Sequence, residues 1–262
     1  MRRVSIDRAG TTVSCLDSET GDDVVVLLHG LAGSAREMLP TAEALLPEHR
    51  VIAVDQRGHG HSTRRPGDVS RRAYTDDVAA VVDRLAGRPV TLVGQSMGGH
   101  TAMLTAAWHP GLVKRLVMLE AGVGGEGDPA ELGAWFASWP VPFPDVEAAA
   151  AFLGPKPITG AWLQDLERHP DGLRPRFDAD IMQAAIAEVA ARPRWDEWAS
   201  VTVPTLLVTA EKGMDTDAEV RRMLELRPAA GHVVVPDCGH DVHLERPRLW
   251  TSLLADWLAD QK

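Results

Sequence analysis

The chain has 262 residues, 45% hydrophobic and 24% charged, and its 27 basic and 37 acidic side chains give a formal net charge of −10. That size bounds one α/β domain with a large core and room for an inserted subdomain, and the acidic balance argues against nucleic acid or an anionic membrane as partner. Two cysteines, Cys15 and Cys238, make no disulfide framework, no run approaches the ~18 apolar residues of a membrane span, and Met1-Arg2-Arg3 has no apolar stretch behind it to act as an export signal.

A cytoplasmic monomer or homodimer handling a small-molecule substrate is therefore expected. Segments 3–7 and 12–16, separated by Ala9-Gly10, read as an antiparallel hairpin at a sheet edge. The all-apolar run 24–28 predicts a central strand covered on both faces. It ends in His29-Gly30-Leu31-Ala32-Gly33-Ser34, a loop able to offer one inward N–H, that of Leu31, to a developing oxyanion, and 35–46 then have helical composition. Strand 50–54 runs into Asp55-Gln56-Arg57-Gly58-His59-Gly60-His61. His59 and His61 lack a third ligand at a recognisable spacing, so a structural or rim role is expected rather than a metal site. Residues 74–85 carry Val78, Val81, Val82 and Leu85 at helical spacing, with Gly87 and Pro89 as stop signals.

The stretch around which the rest is organised follows. Apolar 90–93 predicts a buried strand ending in Gly94-Gln95-Ser96-Met97-Gly98, with helix-forming 101–109 behind it. A Gly-x-Ser-x-Gly turn between strand and helix is a nucleophile elbow: the bend is so tight that side chains two positions either side of the serine would collide, and the Ser96 hydroxyl is lifted above the sheet. After the strand at 116–119 and Glu120, the strand rhythm stops until residue 205. This long segment holds all four phenylalanines and five of the eight tryptophans, which predicts short helices forming a cap with an apolar, water-poor chamber beneath. Strand 205–208, helix 217–226 and strand 232–235 resume the alternation, and the last strand delivers Cys238-Gly239-His240-Asp241-Val242-His243 before a closing helix at 247–258.

A serine hydroxyl needs an adjacent base, and the base an orienting carboxylate. His240 is the best base, next to a glycine that gives the ring room; His243, at the start of the final helical stretch, reads as packing or pocket lining. The ordered set His29-Gly30 with Gly33-Ser34, Asp55 to Gly60, Gly94 to Gly99, and Gly239-His240 with Leu244-Glu245-Arg246-Pro247 resembles the α/β-hydrolase fold superfamily, over residues 4–259. The likeness is to capped serine hydrolases of carboxylesterase or lactonase type. It implies a doubly wound, mostly parallel eight-stranded sheet built from 1–120 and 205–262, with a helical cap at 121–204. It also implies Ser96 as nucleophile, His240 as base and the N–H groups of Leu31 and Met97 as oxyanion hole, with no cofactor or metal. One departure matters: where the superfamily usually carries its acid, after the seventh strand, this chain has Gly213 in Ala210-Glu211-Lys212-Gly213-Met214-Asp215. Some relatives place the acid after the sixth strand, where Glu120 stands. Glu120 is preferred over Asp215, with Glu211 third. The expected reaction is hydrolysis of a small ester, thioester or lactone with an apolar acyl part. Carbon-carbon bond hydrolysis or a cofactor-free perhydrolase reaction remain alternatives on the same residues, and a ligand-binding receptor without turnover is the alternative of another class.

Overall fold

The computed structural model describes residues 1–8 and 10–260; Ala9 of the expected hairpin turn and the last two residues of the expected core segment lie outside the described residues. Among the described residues ten strands and eleven α-helices run in the order β1 Arg2–Arg8, β2 Thr11–Asp17, β3 Asp23–Leu28, α1 Leu39–Ala44, β4 His49–Asp55, α2 Arg71–Val81, β5 Val90–Gln95, α3 Met97–Trp108 and β6 Val113–Leu119. Then come α4 Pro129–Ala137, α5 Val146–Leu153, α6 Thr159–Gln164, β7 Glu167–His169, β8 Gly172–Arg174, α7 Ala179–Ala190 and α8 Trp195–Ser200. The chain closes with β9 Thr205–Ala210, α9 Asp217–Leu226, β10 Gly231–Val235, α10 Val242–Glu245 and α11 Pro247–Asp260.

Eight strands form one sheet in the order β1-β2-β4-β3-β5-β6-β9-β10. β1 and β2 pair antiparallel, β2 joins β4 antiparallel, and the other contacts are parallel. This is the α/β-hydrolase fold. The period-2 geometry of a strand shows in its packing: Val24, Val26 and Leu28 enter a core cluster with Val78, Met103 and Trp198, whereas Val25 and Leu27 enter the opposite cluster with Met38, Trp250 and Leu254. A strand apolar on both faces needs helices on both sides, which is why 24–28 is an unbroken apolar run and 90–93 is interrupted only by the buried Thr91.

Three boundaries differ from expectation. Only Leu39–Ala44 of the expected helix at 35–46 is helical, because 35–38 are held in turns, with Ala35 N–H donating to the buried Asp55 carboxylate at 2.7 Å. The helix expected at 74–85 begins at Arg71 on a Ser70 cap and loosens into a π turn at Val82–Ala86 before Gly87 in left-handed conformation. The segment 121–204 contains an antiparallel ribbon, β7-β8, besides helices, and its α8 packs into the core of the sheet, Trp198 Nε1 donating to the Met223 carbonyl. Trp198 therefore fills the main core and the half-buried Trp195 packs against it, rather than either lining a chamber. Trp139, Phe143, Phe152 and Phe177 pack with one another inside the inserted segment, with ring centroids 5.5 to 6.5 Å apart.

Candidate active site

The carboxyl edge of the parallel strands carries the site, as the topology of open α/β sheets requires. At the end of β5, Ser96 sits at φ 50°, ψ −120°, a left-handed conformation that is strained for a side-chain-bearing residue. Three glycines make this bend possible. A Cβ on Gly94 would stand 2.2 Å from the Gly98 carbonyl oxygen, one on Gly98 2.4 Å from the Leu28 oxygen, and one on Gly99 2.4 Å from the Ala121 Cβ. α3 thus starts at Met97, four residues before the stretch expected to be helical, and its first N–H has no intrahelical acceptor.

The loop after β3 lies directly beside this bend, since a Cβ on Gly30 would come 2.2 Å from Gln95 Oε1 and 3.4 Å from the Ser96 Cβ. His29 pins the loop: its Nε2 accepts from Gln56 N–H at 3.0 Å while its carbonyl accepts from Gln56 Nε2 at 2.6 Å. His59 is buried with its ring 5.0 Å from that of His29, and burial followed by the neighbouring His29 pushes its pKa down to about 3. It is a neutral packing group. His61 is exposed, with its backbone N–H on the Asp55 carboxylate.

His240 Nδ1 lies 3.2 Å from Glu120 Oε2. Glu120 is 2% exposed, follows β6 with φ 47°, and its carboxylate also accepts from Ala210 N–H at 2.5 Å and Met214 N–H at 2.9 Å. The glycine at 213 has a physical reason. A Cβ there would stand 2.3 Å from both Glu120 carboxylate oxygens, so the space an acid at 213 would use is filled by the acid arriving from the neighbouring strand. Among the described residues Glu120 is the carboxylate within bonding distance of the His240 ring. Asp215 does not reach it; burial, followed by the Glu120 and Glu219 charges, pushes its pKa up to about 7. Glu211 points elsewhere and accepts from the exposed Asp237 N–H at 2.9 Å.

Burial by itself lowers the His240 pKa, but the Glu120 hydrogen bond and the charges of Asp241, Glu120 and Asp215 outweigh it, so the net displacement is upward. The ring is thereby a stronger base than a free imidazole.

Ser96 and His240 open into one cavity of about 550 Å³, together with Leu31, Trp135, Phe136 and Trp162. Trp162 also braces the floor, its Nε1 donating to the Ala32 carbonyl at 3.0 Å. Two polar contacts went unanticipated. Gln95 Nε2 reaches the His240 carbonyl at 3.3 Å, tying the serine turn to the histidine loop. Glu37 and His243, both buried, meet at 2.9 Å and join the loop after β3 to α10, so His243 packs rather than lining the cavity. Each pair spans more than a hundred residues, and neither position belongs to a local pattern; only the proximity of Gln95 to Ser96 hinted at a role.

Comparison with known proteins agrees with the fold. The chain is 28% identical to an sn-1-specific diacylglycerol lipase of Mus musculus, an alignment covering 93% of this chain and 83% of that one. It is 27% identical to a 2-(acetamidomethylene)succinate hydrolase of Mesorhizobium japonicum over 98% and 94% of the two. Among solved structures it superposes on an E-2-(acetamidomethylene)succinate hydrolase with a TM-score of 0.86 at 24% identity, covering 98% of this chain and 99% of that one. It superposes on an N-acyl homoserine lactone degrading enzyme with a TM-score of 0.78 at 26% identity, covering 97% and 99%. The model of the alpha/beta hydrolase family matches residues 25–251, and the chain belongs to that family.

Proposed function

We propose that the protein is a serine hydrolase that cleaves small esters, thioesters or lactones with an uncharged acyl part, using Ser96, His240 and Glu120. The observation carrying this reading is a strained serine and an imidazole held by a buried carboxylate, opening into one cavity. In the proposed reaction Ser96 Oγ bonds to the carbonyl carbon as His240 Nε2 takes its proton. The oxyanion is held by the N–H groups of Leu31 and Met97, a type of contact whose single loss typically costs ~3 kcal/mol. Collapse breaks the bond to the leaving group, which takes the proton from the imidazolium; water then repeats the sequence on the acyl-serine and releases the acid. Glu120 holds the imidazole in the tautomer that presents Nε2 to the serine. No cofactor enters these steps.

Residues 121–204 act as a cap in this reading, with α8 as its foot on the core. The lining supports a neutral substrate: its walls are apolar, and its charged members Glu126, Asp128, Glu131, Asp241 and Glu37 are all acidic, with no Lys or Arg among the described residues of the lining. A doubly anionic substrate of the kind named for the succinate-type relative would enter against that field. With Glu120 against His240, the displaced acid no longer favours a receptor without turnover.

A steady-state panel tests the proposal: neutral aryl esters and N-acyl lactones, a succinate half-ester and a vinylogous diketone, each with wild type and Ser96→Ala. Ser96-dependent turnover of the neutral esters or lactones is expected, with the half-ester at least about tenfold poorer in kcat/KM. Faster cleavage of the diketone than of any ester would move the assignment to carbon-carbon bond hydrolysis.

A further inference from the structure

Behind the turn that carries Ser96 lies a charge that the reaction as described does not use. Arg71, at the first position of α2, is 1% exposed. Its guanidinium stacks over the Tyr74 ring with 4.4 Å between carbon and centroid, and Nη2 donates to Thr101 Oγ1 and, at 3.5 Å, to the Met97 carbonyl. Nε and Nη1 meet no protein acceptor, and among the described residues no carboxylate stands within ion-pair distance. Glu188 acts on it only from farther away, and Arg194 opposes it; burial lowers its pKa to about 10, which leaves it protonated at neutrality.

A buried cation without a counterion is disfavoured in the folded state, and here it also stands at the positive end of α2 and beside the first turn of α3. The Tyr74 ring and the two oxygen acceptors hold Arg71 in place, but no carboxylate neutralises its charge while the enzyme rests. Met97 and Tyr74 share one cluster against which Leu31 packs, so the two residues whose N–H groups are assigned to the oxyanion belong to the same cluster as the ring under the guanidinium. Negative charge appears there only during the reaction.

We propose that Arg71 is a positioning residue whose buried positive charge, held on the Met97 carbonyl and Thr101 and without touching substrate, favours formation of the oxyanion at the Leu31 and Met97 N–H groups. This rests on the serine-hydrolase reading above. Its counter-charge is the tetrahedral intermediate, so its contribution falls on kcat and leaves ground-state binding alone.

The test compares wild type, Arg71→Met and Arg71→Lys on a neutral aryl ester, with Tm, the inhibition constant of an alkyl boronic acid that forms a tetrahedral anion on serine, and labelling by a fluorophosphonate. Arg71→Met should lower kcat about 10- to 30-fold with KM within twofold, weaken the boronic acid by a similar factor, and leave Tm equal or higher because an unpaired charge is gone. Arg71→Lys should recover most of kcat. An unchanged kcat in Arg71→Met, or a loss of activity that parallels a loss of Tm or of folding and is shared by Arg71→Lys, would overturn the role. The two layers separate: a wild type that the fluorophosphonate does not label at Ser96 removes the hydrolase reading itself, whereas a labelled wild type with an indifferent Arg71→Met removes only Arg71.

Discussion

The floor of the cavity and the segment above it are built on different principles. The serine turn in the floor, from Gly94 to Gly98, is fixed by backbone against backbone: hypothetical side chains at Gly94 and Gly98 meet carbonyl oxygens at 2.2 and 2.4 Å. The roof, α4 to α7 with the β7-β8 ribbon, is held by side chains, chiefly the rings of Trp135, Phe136, Trp139 and Trp162 at 4.9 to 5.9 Å from one another, and by pairs such as Arg64 Nε on Asp178 at 2.6 Å. Backbone contacts tolerate no added atom, whereas side-chain contacts can be re-formed by other side chains. Chemistry should therefore be brittle in the floor, and selectivity adjustable in the roof.

The largest contrast is between two helical glycines. Gly98→Ala, in α3, forces a Cβ onto the Leu28 carbonyl and should destabilise by about 3–5 kcal/mol with loss of activity. Gly160→Ala, in α6, meets nothing within 4 Å and should stabilise by about 0.5–1 kcal/mol, as removing glycine from a helix does. Chemical denaturation of both variants checks the pair, and equal effects would dissolve the distinction.

Next in size is the acid. Glu120→Gln keeps the shape but offers the imidazole the wrong partner, so kcat should fall roughly 10³- to 10⁴-fold, the scale of such a change in a known triad. Gly213→Asp in the wild-type background collides with Glu120; combined with Glu120→Ala it should restore part of the lost activity, because the two positions reach the same space. If Glu120→Ala and the double variant are equally slow, the two positions are not interchangeable.

That exchange also shows what could be read before any coordinates. The elbow was legible because its spacing is dictated by local sterics, and the double-sided strands because their apolar runs have one physical cause. Glu120, Asp215 and Glu211 were legible only as candidates. Which one meets the ring depends on the β6-β9 register, in which Leu119 faces Val208 and so aims Glu120 at the Ala210 and Met214 amides. Arg71, Gln95 and the Glu37–His243 pair had no local signature, since their hydrogen-bonding partners lie 26 to 206 residues away. Trp195 and Trp198 misled for a related reason: an aromatic residue announces burial, not which side of the molecule buries it.

Smaller still is the effect expected in the roof. Trp135→Ala should leave kcat on a short acyl ester within threefold while raising KM for longer acyl chains about tenfold, measured across a chain-length series. A loss of kcat equal to that in Glu120→Gln would make Trp135 part of the floor.

The mildest effect concerns pH. The proposed reaction needs neutral His240, and its raised pKa places the acid limb of kcat/KM above the ordinary histidine value of about 6.5. Asp215→Asn removes one of the charges that raise it, and because burial leaves Asp215 only partly ionised near pH 7 the limb should move only slightly to lower pH, with the plateau changed less than about threefold. A shift to higher pH would mean that Asp215 acts on the ring in the opposite sense.

Most direct of all is mapping the covalent intermediate. With a chromogenic ester quenched in the burst, mass spectrometry should find one acyl group per chain, on the peptide carrying Ser96, and none in Ser96→Ala. Turnover that survives in Ser96→Ala, or an acyl group found on another residue, would contradict the account.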